Sequence, residues 1–382
     1  MGTAAPSLAI GIEEEYLLVD PDSGELVAKQ DPAFMPACRA RLGGQVTHEL
    51  MQAQVEVGTR VCRNVAEARA DLHRLRRTVA DVAAEHRMAI IAASTHPSAA
   101  WPEQRNTKKE RYQALTDDYQ VLARRQVISG MHVHAAVEDD ELRIDLMNQV
   151  AYFLPHLLAL STSSPFWHGQ DTGLKAYRRA VADELPRSGS PEHLESWRDW
   201  ERLLAILAET GLVTDPSMIW WDVRPSAKHP TLELRITDIC TEVEDALTIA
   251  ALYQSLLRHL WRLRLRNLTW RPYRRILIEE NKWRAQRWGI EAELADFAAG
   301  CLKTVPDLVA ELIALLREDA EALGCLPELE RAAGIARDGT SADRQLAVYR
   351  AVLEEGGSDE AAHAAVVRWL RTATLAGIPA AD

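Results

Sequence analysis

Gly11-Ile12-Glu13-Glu14-Glu15-Tyr16-Leu17-Leu18-Val19 is the stretch on which the reading of this chain turns. Apolar residues flank three consecutive glutamates, so the segment reads as a core strand and not as a solvated acidic run. Side chains alternate along a strand, which puts Glu13 and Glu15 on one face and Glu14 on the other. Ser129-Gly130-Met131-His132-Val133-His134 has the same design, with its two histidines on one face. Burying two carboxylates side by side costs several kcal/mol or more unless a cation neutralises them. A divalent metal site shared between strands is the simplest account.

Two further segments fit that account. Thr47-His48-Glu49-Leu50-Met51-Gln52-Ala53-Gln54-Val55-Glu56 carries oxygen donors at 49, 52, 54 and 56, which hard cations such as magnesium or manganese prefer. Trp221-Asp222-Val223-Arg224-Pro225-Ser226 is followed by Thr231-Leu232-Glu233-Leu234-Arg235-Ile236. Glu233 and Arg235 lie two apart on a strand, so a carboxylate ligand and a phosphate-gripping guanidinium would face one cavity. Each segment alone has an ordinary structural reading: a polar strand edge, a hydrogen-bonded core histidine, a cross-strand ion pair. Four together weaken it.

Composition narrows the class. The 382 residues are 47% hydrophobic and 26% charged, enough for a large core in one to three domains. A formal net charge of -12 disfavours nucleic acid and anionic membrane surfaces as partners, although local arginines can hold a small anion. No apolar run approaches the roughly 20 residues of a membrane span, and no basic-then-apolar leader opens the chain. A cytoplasmic location is expected. Cys38, Cys62, Cys240, Cys301 and Cys325 lack CxxC spacing and are expected to be reduced, buried thiols. There is no P-loop and no G-x-G-x-x-G, so ATP, if used, must be held by metal and arginines.

The element pattern runs from mixed to helical. A hairpin is expected around Pro21-Asp22-Ser23-Gly24, joining 8–19 to 26–29, with a one-sided helix over 64–86 and a strand over Met88 to Ala93. Strands are expected at Ser129–Val137 and Thr231–Thr237. Helices are expected at Leu142–Leu160, at Leu194–Leu207 opened by Ser190-Pro191, and through Leu268 from a Thr241/Glu244 capping box. From about 275 onward the chain reads as helical, with Gly356-Gly357 between the last two helices. Strands and helices do not alternate strictly, which favours an antiparallel or mixed sheet.

With these segments in order, the chain resembles the bacterial glutamate-cysteine ligase type 2, or carboxylate-amine ligase, family of the glutamine synthetase superfamily. The likeness runs from Ile10 to about Ala292 and includes Ser94-Thr95-His96-Pro97, Glu110-Arg111-Tyr112, Ser163-Ser164-Pro165-Phe166 and Asn281 through Gly289. The resemblance implies a glutamine synthetase-like α+β fold, with an antiparallel sheet of about six strands and helices packed on one face. It implies a single catalytic domain over 1–382 with a helical portion from about 290, and a homodimer. It also implies an ATP-dependent ligase that activates the glutamate side-chain carboxylate as an acyl phosphate for attack by cysteine or another amine. Glu15, Glu49 and Glu56 would bind one magnesium or manganese ion, and Glu13, His132 and Glu233 the other. His134 would contact the nucleotide, and Arg235 and Arg224, with Arg111 beside them, the transferred phosphate or the substrate carboxylate. A superfamily phosphotransferase acting on a guanidino or other nitrogen, and a non-catalytic nucleotide-binding relative, are the alternatives. In one departure, Ala135-Ala136 stand where the family usually carries Val-Gly, which removes the backbone freedom of a glycine at 136.

Overall fold

The computed structural model describes residues 5–213 and 215–380. Its centre is a seven-stranded sheet of β1 (Ile10–Val19), β2 (Val46–His48), β3 (Gln54–Gly58), β4 (Ala89–Ile91), β5 (Met131–Ala136), β6 (Val223–Pro225) and β7 (Thr231–Leu234). The order is β6-β7-β5-β1-β3-β2, with β4 joining the C-terminal end of β1, and all seven pair antiparallel. Residues far apart in sequence meet through its register: Glu13 opposite His132, Glu15 opposite Glu56, and Glu233 opposite His134. This is the α+β, glutamine synthetase-like architecture expected, with one strand more than the six anticipated. Ala136 lies in the regular β5–β7 ladder opposite Thr231, so glycine's freedom is not needed there.

Helices cover the face away from Glu13 and Glu15. Helix α1 (Val65–Glu85) buries Val65, Ala68, Leu72, Leu75, Val79 and Val82, the stripe read from the sequence, and Asn64 caps it by accepting from Glu67 N at 2.9 Å. The long α2 (Val243–Leu265) is buried along most of its length. Two later helices, α3 (Val305–Leu323) and α4 (Leu326–Asp338), pack on α2; the last, α5 (Asp359–Thr374), instead packs on β4 and buries Val366, Val367 and Leu370 with Leu17, Val19 and Ile91, on the same face of β1 as Glu13 and Glu15. The larger of two hydrophobic cores draws residues from Leu8 to Ile378, and the smaller gathers around Leu17, Ile91 and Phe166. Among the described residues no helix is long and apolar enough to cross a membrane.

Several local expectations are corrected. The Thr241/Glu244 capping box does not form, because tertiary partners claim both side chains: the Thr241 hydroxyl donates to Ala92 O at 2.6 Å, and Glu244 pairs with Arg69 at 2.9 Å. The helix expected from Leu194 begins at Trp197 under a Ser196 cap, and Ser190 N instead donates to Glu279 at 3.0 Å. The helix expected over Leu142–Leu160 breaks into Asp140–Val150 and Leu154–Ser161, since Pro155 lacks the N–H that would continue it. Past residue 275 a hairpin, Glu293–Asp296 with Cys301–Thr304, interrupts the helices and leaves Cys301 exposed; the other four thiols are buried. Of the 26–29 strand only a bridge from Leu26 to Val19 is present.

Behind β1 sits a buried ion pair. Arg76 of α1 meets Glu14 at 2.5 and 2.8 Å, both side chains fully buried, and the Tyr16 hydroxyl donates to the same carboxylate at 2.5 Å. The guanidinium also donates to Cys240 O at 2.9 Å, Thr241 O at 2.6 Å and Thr374 O at 3.2 Å, so it joins β1, the entry to α2 and the end of α5. Removing one partner strands the other charge in the core. Arg76→Leu is expected to lose about 3–5 kcal/mol in urea unfolding, and the double change Glu14→Leu/Arg76→Met to recover more than half of that. Equal losses in the two variants would contradict the pairing.

Candidate metal centre

The sheet register assembles two donor sets on the open face. One atom each from Glu15, Glu49 and Glu56 lie within 4.8 Å of one another, and the same holds for Glu13, His134 and Glu233. The first is the trio expected from the sequence. In the second, His134 occupies the position expected of His132. His132 still touches Glu13, Nδ1 to Oε2 at 3.2 Å, but Arg235 approaches the same nitrogen at 3.5 Å. His134 Nδ1 is engaged by the Thr231 hydroxyl at 2.9 Å, which orients the ring; its Nε2 is buried without a hydrogen-bond partner, 3.4 Å from Glu13. Gln52 and Gln54 turn their amides to Asn106 O and Ile128 O, at 3.0 and 2.7 Å.

The two sets differ electrostatically. Burial, reinforced by the charge of Glu49, pushes the Glu15 carboxyl up to about 8, although Gly130 N–H donates to it at 2.7 Å. Burial and the neighbouring Glu49 also raise Glu56 well above the carboxylate range. In the other set burial is overcome. The hydrogen bond from His132 and the proximity of the His134 imidazole hold Glu13 low, and the charges of Arg235 and Arg224 hold Glu233 low. His132 is pushed down to about 4 by burial and by Arg235, whereas Glu13 and Glu233 raise His134 against its burial.

Three crowded carboxylates with no basic group within 4.0 Å among the described residues, and an imidazole nitrogen buried without a partner, form an oxygen-rich donor set suited to magnesium or manganese. The residues present therefore fit a pair of hard divalent cations.

A cavity of about 370 Å³ opens over Glu13, Glu15, Glu49, Glu56 and His132. Arg224 Nε donates to Glu233 at 3.0 Å, and Arg235 pairs with the same carboxylate. Arg111 lies at the mouth, its side chain 55% exposed, bridging to Ser217 Oγ at 2.7 Å and Asp215 at 3.4 Å. Sequence reasoning missed Arg178 and Arg179, which also line the cavity. Adjacent arginines at the start of the short helix Tyr177–Ala182 look like a solvated pair, and only a burial pattern too short to read could have flagged them. Arg179 is tied to Asp222 at 2.7 Å, and Lys282 reaches the same aspartate at 2.7 Å. Asp238 accepts from Ser163 N at 2.9 Å and Ser164 Oγ at 2.6 Å. The Ser163-Ser164 and Asn281–Gly289 segments thus build the layer behind the site.

Comparison with known proteins gives a consistent picture. The profile described as glutamate-cysteine ligase family 2 matches residues 9–368. A relative named "Putative glutamate--cysteine ligase 2" from Rhodospirillum rubrum is 49% identical over 379 residues, covering 98% of this chain and 97% of its own. One of the same name from Ruegeria pomeroyi is 51% identical over 369 residues, covering 97% and 95%. Among solved structures, a bifunctional glutathione synthetase from Pasteurella multocida superimposes with a TM-score of 0.68 at 16% identity, over 95% of this chain and 52% of that one. A glutamate–cysteine ligase from Francisella tularensis, solved with AMP, gives 0.63 at 15% identity over 97% and 90%. At these identities the two structures speak to the fold alone.

The raised Glu15 carboxyl generates a prediction. With a value near 8 it is mostly protonated at pH 7, so a divalent cation must displace the proton, and affinity should rise as pH goes from 6 to 8. Manganese calorimetry in two buffers of different ionisation enthalpy should show proton release at pH 7. In Glu15→Gln that release should vanish and affinity fall about 100-fold or more, with thermal stability in metal-free buffer at or above that of the parent. A pH-independent affinity, or an unchanged one in the variant, would remove Glu15 from the site.

Proposed function

The chain belongs to glutamate-cysteine ligase family 2, and from that premise we propose that it joins the side-chain carboxylate of glutamate to an amine, with L-cysteine as default acceptor. It is an ATP-dependent carboxylate-amine ligase by family. The observation that carries the finer reading is the open face of the sheet, where two donor sets lie side by side under a cavity lined by arginines.

In the first step a glutamate carboxylate oxygen attacks the γ-phosphorus of ATP and the bond to ADP breaks. In the second the amine attacks the acyl carbon, the carbon–oxygen bond to phosphate breaks, and the nitrogen gives up a proton. Two divalent cations, held by Glu15, Glu49 and Glu56 and by Glu13, His134 and Glu233, would neutralise charge on the nucleotide and the moving phosphoryl. His132 also remains within reach of the second. Arg235 and Arg224, fixed around Glu233, are suited to the oxygens of the transferred group, which calls for positioning and charge more than covalent help. Arg111, bridging the cavity mouth, is better placed to narrow the entrance than to reach phosphate.

The whole chain serves as one catalytic unit in this reading, its helices after residue 290 completing the core, and it works in the cytoplasm. We also read it as a homodimer, as the family likeness implies; Leu265, Leu268, Ile276, Trp283 and Leu302 are among its exposed large apolar residues. Sedimentation velocity at micromolar concentration should give twice the mass of the chain, and a monomer there would reject this assembly.

ADP release should require ATP, magnesium or manganese, glutamate and an amine together, screened across the proteinogenic amino acids and small alkylamines, with mass measurement of an amide product. Glutamate plus the whole panel failing to raise ADP above background would sink the ligase reading. A phosphorylated product without an amide bond would select a phosphotransferase instead.

A further inference from the structure

Four arginines line the inner cavity, and three have carboxylate partners. Arg179 is held by Asp183 and Asp222, and Arg224 and Arg235 by Glu233. Arg178 differs. Among the described residues no carboxylate oxygen lies within 4.0 Å of its guanidinium, although the side chain is buried. Its only partners are the backbone carbonyls of Arg235 and Ile236, each at 3.4 Å, and its Nε is buried with none.

A desolvated guanidinium without an anion is costly, so its place in the fold must be enforced. Its own N–H donates to Ser164 Oγ at 3.0 Å, and that hydroxyl is locked on Asp238 at 2.6 Å. The guanidinium lies against Gly130, where a Cβ would sit 2.3 Å from Nη2; the same glycine's N–H holds Glu15. The guanidinium, its Nε without a partner and its Nη2 tied only to Arg235 O at 3.4 Å, is therefore held in the cavity wall beside Gly130, whose N–H holds Glu15 of the all-carboxylate set. Two parallel N–H groups match the two oxygens of a carboxylate.

We propose that Arg178 receives the α-carboxylate of the acid substrate, the one not phosphorylated, and so selects an amino acid over a simple ω-carboxylate. The proposal rests on the ligase reading above. Lysine in its place would keep the charge but lose the two-pronged fit.

The test compares L-glutamate with 4-aminobutanoate, which has the same reacting end but no α-carboxylate, as substrates for ADP release. The parent protein should prefer glutamate in kcat/KM by about 100-fold or more. In Arg178→Gln the preference should collapse to about 5-fold or less, through a raised KM for glutamate with the KM for ATP nearly unchanged, and Arg178→Lys should fall between. Thermal melts confirm folding; if the Gln variant fails to fold, the Lys variant decides by the same ratio. A retained preference overturns the role of Arg178, as does a change confined to ATP, which would assign the guanidinium to phosphate. Absence of glutamate-dependent turnover in the parent instead overturns the ligase reading and this inference together, so the two failures are distinguishable.

Discussion

The buried Glu14–Arg76 pair is the interaction on which the rest depends. A core strand bearing three successive acids can exist only if each face disposes of its charge separately, and Arg76 does this for the inner face. Its further bonds to Cys240, Thr241 and Thr374 carbonyls make that neutralisation conditional on the chain being folded nearly to its end. The strand that presents Glu13 and Glu15 is thus held in register by groups contributed from α1, the α2 entry and α5.

The outer face is left deliberately unbalanced. Glu15 and Glu56 are forced toward the neutral form, while Glu13 is held ionised by histidines of the distant β5 and Glu233 by Arg235 of its own strand and Arg224 opposite it. Such a surface contributes repulsion to the folded state and becomes favourable only with cations bound. That is the usual signature of a site where local stability has been given up for function.

How much was legible in the sequence varies with the range of the physics involved. The alternation of Glu13, Glu14 and Glu15 depends on the strand period alone, and the helical stripe from Val65 to Val82 on the helical one, so both could be read locally. Glu49, Glu56 and Glu233 were singled out by residue type and by family likeness; Glu56 and Glu233 stand on different strands and Glu49 in the loop after β2, so local spacing alone cannot show that they approach the first two glutamates. The choice between His132 and His134 turns on which imidazole Arg235 approaches, a tertiary matter. The false capping box at Thr241 failed for the same reason. The 293–304 hairpin was hidden by helix-favouring Glu, Ala and Leu, and Arg178 by looking like any solvated basic residue.

Gly130 shows how narrow the tolerance of such a design is. Its torsions are not in the left-handed region, so what a side chain there would meet is the Arg178 guanidinium and not a backbone restriction. Replacing it by alanine would push the Arg178 guanidinium off its present seat, since Nη2 and Cζ are the atoms a Cβ would meet. Positions 130 and 178 therefore share one space: a methyl at 130 and the guanidinium in its present seat exclude each other.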